Sequence, residues 1–227
     1  MKGKLILSGG GDLKISYNLD KEFFSLLKNN AKILYIPIAL KRDRIGFEAC
    51  YDWFSNIIAT HAKDKDIDFT MILEHDSVPD LKNYECVYIG GGNTFKLLDF
   101  IINKQLDKRM LDYLNSGGIV YGGSAGAIIF GKDIRTVEEE NDHNYIYVNG
   151  LNCIDGYSLI CHYNISMDVQ IIENSKKING KILAIDESSG IIVSEDSSLI
   201  IGNIAEFDPT NDTKKICQNH SSIKLSC

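Results

Sequence analysis

A serine flanked by the smallest residues sits near the middle of the sequence, in Gly122-Gly123-Ser124-Ala125-Gly126. The apolar run Ile119-Val120-Tyr121 leads in and Ala127-Ile128-Ile129 leads out, so the stretch reads as strand, tight turn and helix. In a G-x-S-x-G turn the sharp bend lifts the hydroxyl clear of the backbone, and only minimal side chains fit two residues to either side. The chemistry this suits is acyl transfer. Ser124 would be the nucleophile, and the amide of Ala125, opening the helix, would face the negative oxygen formed beside it. The same five residues also suit a connection that merely turns, or one that holds a phosphate.

A serine hydroxyl is a weak nucleophile and needs a base within hydrogen-bond reach, itself oriented by an acid. Among the histidines, His61 follows a helical stripe and reads as a partner of that helix's C-terminus. His75 lies in a polar crossover, His143 among carboxylates and His220 in a polar tail. His162 differs, because it closes the apolar run Leu159-Ile160-Cys161 at the sheet edge expected to carry Ser124. Glu187 lies just past another apolar run, Ile182-Leu183-Ala184-Ile185, with Asp186 as its rival. Side chains alternate along an extended stretch, so only one of these two neighbours can face the imidazole. The resulting chain order, Ser124, His162, Glu187, is not that of the α/β-hydrolases, which run serine, acid, histidine and would require His220.

These groups need elements to position them. Lys4 to Ser8, Ala31 to Pro37, Phe69 to Leu73 and Glu85 to Ile89 read as strands. Helices are expected over 20–29, with Asp20 as cap, and from Phe47 through Ile58, whose stripe of Phe47, Cys50, Tyr51, Phe54, Ile57 and Ile58 should pack on the sheet. Gly9-Gly10-Gly11 could approach a ligand but reads first as a turn. Gly90-Gly91-Gly92 ends a strand where open α/β sheets bind ligands, and its amides could complete an oxyanion hole. Asn93 or Thr94 would cap the helix through Leu97, Leu98 and Ile101, with capping alone as the competing role. A further helical piece spans 104–115, 131–150 reads as an exposed loop, and 165–178 as helix. Ile191 to Val193 with Ser198 to Ile201 forms a closing hairpin, and another hairpin is expected in the tail beyond 203. Alternating strands and helices with short connections predict an α/β fold, a three-layer α/β/α sandwich on a mostly parallel sheet.

Composition narrows the partners. A length of 227 residues with 44% hydrophobic content predicts one domain, with a peripheral tail from about 203. The net charge of −7 repels phosphates and argues against a nucleic-acid partner. No apolar run approaches the roughly 20 residues of a membrane helix, and Met1 to Ser8 reads as a strand rather than a leader. The six cysteines show no C-x-x-C spacing, which predicts reduced core thiols, a cytoplasmic setting and no metal cage. The expectation is a protein without cofactor, monomer or homodimer, acting on small molecules.

With these residues in place, the chain resembles the peptidase E family, the aspartyl dipeptidases and their cyanophycinase relatives, which share a fold with class I glutamine amidotransferases. The resemblance rests on Gly90 to Phe95, on Gly122 to Ala127 and on His162, in that order, and extends to about residue 205. It implies a serine-type exopeptidase for short peptides, N-terminal aspartate among them. Ser124 would be the nucleophile, His162 the base, Glu187 the orienting acid, and the amides of Gly92 and Ala125 the oxyanion hole. Gly91, Asn93, Thr94 and Glu139 would meet substrate. Gly123, Ile128 and Cys161 stand where the aspartyl dipeptidases have Trp, Asn and Pro, changes that touch the pocket rather than the catalytic groups. Cyanophycinase-like or isopeptide hydrolysis is the alternative activity, and a non-catalytic binding module the alternative role.

Overall fold

The computed structural model describes all residues except 42–45, 138, 140, 142, 196, 224, 226 and 227. Its main sheet has seven strands in the order β3-β2-β4-β5-β1-β8-β9. Five of these are parallel: β1 (Lys4–Ser8), β2 (Lys32–Ile36), β3 (Asp68–Met71), β4 (Cys86–Ile89) and β5 (Ile119–Gly123). On the other flank of β1 run β8 (Gly190–Val193) and β9 (Ser198–Ile201), both antiparallel to their neighbours.

The central strands β1, β2, β4 and β5 are apolar between their ends because both faces are covered. On one face α1 (Tyr17–Ser25) and α2 (Phe47–His61) bring Phe23, Phe24, Phe54 and Ile57 onto Ile6, Ile33 and the tyrosines 35, 88 and 121. On the other, α3 (Thr94–Asn103), α4 (Leu106–Asn115) and the short α5 (Ala125–Ile128) cover Leu5, Leu7, Val87 and Val120. Period-2 alternation along β1 sends Ile6 to the first layer and Leu5 and Leu7 to the second. The expected three-layer α/β architecture is therefore present.

Some elements depart from the sequence reading. The first helix begins at Tyr17, so Asp20 lies inside it, 2% exposed, rather than capping it. In α2 only Cys50, Phe54 and Ile57 are buried, while Phe47 and Tyr51 are 46% and 45% exposed. Those two complete the apolar spacing but lie at the margin of the stripe. The 131–150 stretch is not wholly exposed, since Asp133, Ile134 and Thr136 are buried against the core.

The largest departure is a second sheet. β6 (Ser158–Ile160), β7 (Ile182–Ile185), β10 (Ile204–Asp208) and β11 (Thr213–Cys217) form four strands in the order β11-β10-β7-β6, with α6 (Asp168–Lys177) packed on them. Phe207, fully buried, is the largest side chain of that small core, beside Ile160, Ile171 and Ile182. The apolar run before His162 thus belongs to this second sheet and not to the sheet that carries Ser124.

Candidate active site

Ser124 follows β5 at φ +51° and ψ −114°, a backbone state that side chains rarely occupy. Neighbours hold it there. Its amide donates to the Ser8 carbonyl at 3.1 Å, and its carbonyl accepts from the amides of Ala127 and Ile128 at 2.8 and 2.9 Å. The flanking glycines are required by contact: a Cβ on Gly122 would stand 2.2 Å from the Gly126 carbonyl oxygen, and one on Gly126 2.4 Å from that of Ile89. Helix α5 is a single turn, so the Ala125 amide itself, more than any macrodipole, is what the turn offers an anion.

His162 arrives from the second sheet. Two residues beyond β6 it takes φ +54°, and its amide donates to the Gly9 carbonyl at 3.0 Å. Its Nε2 lies 2.8 Å from Ser124 Oγ and its Nδ1 2.9 Å from Glu187 Oε1. With the carboxylate on Nδ1, that nitrogen carries the hydrogen and Nε2 is free to accept the serine proton. Asp186 is committed elsewhere, its Oδ1 accepting from the amide and hydroxyl of Ser188 at 2.8 and 2.7 Å. Both members of the His162–Glu187 pair are about half exposed.

The glycine loops close around the serine. A Cβ on Gly91 would come within 3.0 Å of the Ser124 Cβ. Among the described residues, the amides of Gly91, Gly92 and Ala125 donate to no protein acceptor, which leaves them available to an oxyanion. For Gly9-Gly10-Gly11 the turn is the favoured sequence reading, with approach to a ligand as the other. Gly10 lies at φ +93° against the triad, where a Cβ would be 2.7 Å from both His162 Cε1 and Ser124 Cβ. The signal was present, because Gly9-Gly10-Gly11 ends a parallel strand just as Gly90-Gly91-Gly92 does.

Asn93 and Thr94 serve the start of α3. Asn93 Oδ1 accepts from the Lys96 amide at 2.8 Å, and Thr94 is fully buried. Glu139 supplies a second cap, its Oε1 accepting from the Thr94 amide at 2.7 Å. Two cavities adjoin Ser124 and His162. One, of about 450 Å³, includes Glu139, Thr136 and Asn164. The other, of about 430 Å³, includes Gly10, Gly91, Gly92, Asp20, Tyr121 and Trp53. Neither Asn93 nor Thr94 lines either one. The Cys161 thiol, beside the serine, is buried and its ionisation is pushed far up by desolvation. Among the described residues no cluster of histidine, cysteine and carboxylate could hold a metal ion.

Comparison with known proteins gives this geometry its context. Residues 5–201 match the sequence profile of peptidase family S51. The chain belongs to peptidase family S51. It is 26% identical over 140 residues to peptidase E of Shewanella denitrificans, a match covering 61% of this chain and 57% of that protein. The chain thus spans little more than half the length of that relative. An uncharacterized peptidase of Pasteurella multocida is 24% identical over 213 residues, covering 89% of this chain and 99% of its own. In structure, this S51 chain is similar to a peptidase from an acI-B1 actinobacterium, with a TM-score of 0.71, 20% identity, and coverage of 98% and 97%. The S51 match begins in β1 and ends in β9, so it takes in every residue of the hydrogen-bonded triad.

Proposed function

We propose that this S51 member is a serine-type exopeptidase that cleaves short peptides through an acyl-enzyme on Ser124. The observation that carries the reading is the unbroken hydrogen-bonded line from Ser124 Oγ through His162 to Glu187, at 2.8 and 2.9 Å. As Ser124 Oγ attacks the scissile carbonyl, His162 Nε2 takes its proton and Glu187 stabilises the imidazolium through Nδ1. The negative oxygen of the tetrahedral intermediate lies between the amides of Gly92 and Ala125. His162 then gives the proton to the leaving amine, and water repeats the sequence on the ester. The buried free thiols suit a reducing compartment, and we place the enzyme in the cytoplasm.

Ser124→Ala tests this directly against a panel of dipeptides and aminoacyl anilides. The expected kcat falls by about 10⁴-fold or more, with an unchanged circular dichroism spectrum, because nothing nearby replaces the nucleophile. Full turnover by the variant would overturn the reading.

A further inference from the structure

The 430 Å³ cavity beside Ser124 is a product of sheet register. Tyr35, Tyr88 and Tyr121 are paired across β2, β4 and β5, forming a row on the face toward α1 and α2. Two residues further along their strands come Gly90 and Gly123, and on β1 the partner of Gly123 is Ser8. In that layer Pro37 follows Tyr35 and Ser8 lies on β1, but the two glycines between them present no side chain, and the space they leave opens into the cavity. Leu40, Trp53 and Ile57 form its apolar wall.

At the far end is a carboxyl group. Asp20 Oδ1 accepts from the Tyr121 hydroxyl at 2.8 Å, and Oδ2 lies 2.6 Å from Ser16 Oγ. The Tyr121 hydroxyl donates to Asp20, while the single Ser16 proton is shared between Asp20 and the Asp12 carbonyl, 2.8 Å away, so an ionised Asp20 has capacity left to accept a hydrogen bond. Asp12 is the other carboxylate of the lining, and among the described residues no lysine or arginine lines it. Tyr121 is three residues before Ser124, about 10 Å along an extended strand. The Tyr121 ring carries its hydroxyl to Asp20, and both residues line the cavity that opens beside the serine. Gly91 and Gly92 line this cavity and not the one with Glu139. A residue whose carbonyl rests against those amides therefore has this cavity beside it.

We propose that this cavity receives the side chain of the residue that acylates Ser124, and that it selects a long apolar stem ending in a cation, as in lysine. The stem lies along Leu40, Trp53 and Ile57, and the ammonium group replaces water at Asp20. An aspartyl side chain would carry the same charge as Asp12 and Asp20. This assignment rests on the peptidase reading and deepens it.

Trp53 is the only tryptophan of the chain and lines the cavity, so its fluorescence reports occupancy without turnover. Ser124→Ala protein would be titrated with Lys-Ala, norleucyl-Ala, Tyr-Ala and Asp-Ala. We expect Lys-Ala to bind roughly tenfold more tightly than norleucyl-Ala, with Asp-Ala weakest, and Asp20→Asn on the same background to erase the difference. A second measurement covers a variant that fails to fold. Burial raises the Asp20 carboxyl above the usual range, against its neighbours Ser16, Tyr121 and His61. Affinity for Lys-Ala must then rise with pH as Asp20 ionises, while norleucyl-Ala stays level. Equal binding of Lys-Ala and norleucyl-Ala, tightest binding of Tyr-Ala or Asp-Ala, or a flat pH response would overturn the assignment. Wild-type protein separates the two readings. Cleavage without lysine preference overturns the pocket alone, whereas lysine-selective binding without cleavage overturns the peptidase reading and the acyl role, leaving the cavity a binding site for a lysine side chain.

Discussion

Ser124 holds a backbone state that costs a non-glycine residue on the order of 1–3 kcal/mol, and three backbone hydrogen bonds keep it there. Its partners divide the remaining work unequally. Glu187→Gln should lower kcat by about 10²-fold or more, because the amide can present its nitrogen to Nδ1 and favour the wrong tautomer. Asp186→Asn should cost less than about threefold on the same peptide substrate, since its carboxylate serves only the Ser188 turn. Comparison of these two variants checks which acid orients the base. Sequence narrowed the acid to two neighbours, and the fold separates them by committing one to its own turn. Asp20 gives a pH signature of a different kind. Desolvation raises its carboxyl, while His61, 3.9 Å away, is itself pushed down by burial and is a poor counter-charge. A raised acid favours the protonated fold, so the contribution is complete below the unfolded aspartate range near pH 4 and is lost as pH rises through the folded value. Thermal melts should therefore show wild type losing ground to Asp20→Asn across that interval.

Among the elements, the loop after β1 does more than its sequence suggested. The Gly9 amide donates to Ser189 and its carbonyl accepts from His162, while Gly10 fits between the imidazole and the serine. Gly10→Ala should destabilise the protein by about 1–3 kcal/mol, from positive φ and the displaced imidazole, and should depress kcat more than tenfold. Urea melts and steady-state kinetics on one preparation check both. The parallel strands were readable because continuous apolar runs such as Ile33 to Ile36 can only be doubly covered. Helix α1 was misplaced because Asp20 looks like a cap, and a buried aspartate inside a helix leaves no periodic trace. Its partners Ser16 and Tyr121 are distant or unremarkable in sequence, so the cluster emerges only from packing.

At the scale of the molecule, Ser124 and His162 follow strands of different sheets. The order of the chain points to Ser124, His162 and Glu187 as strand-end residues, and the structure brings the three within hydrogen-bond reach. Chain order did not disclose that β6 and β7 leave the main sheet, since short apolar strands read alike wherever they pair. Phe207 anchors the smaller sheet, and Phe207→Ala should cost about 3–5 kcal/mol and reduce kcat by loosening β6 and β7 beneath His162 and Glu187. Denaturant melts and kinetics on the variant measure both effects. The split has a temporal consequence as well. Ser124 has its backbone geometry once β5 pairs with β1, but it gains a proton acceptor only when the smaller sheet docks through Gly9. During refolding, turnover of a fluorogenic peptide should therefore lag behind the far-ultraviolet signal, and the delay would time the meeting of the two halves.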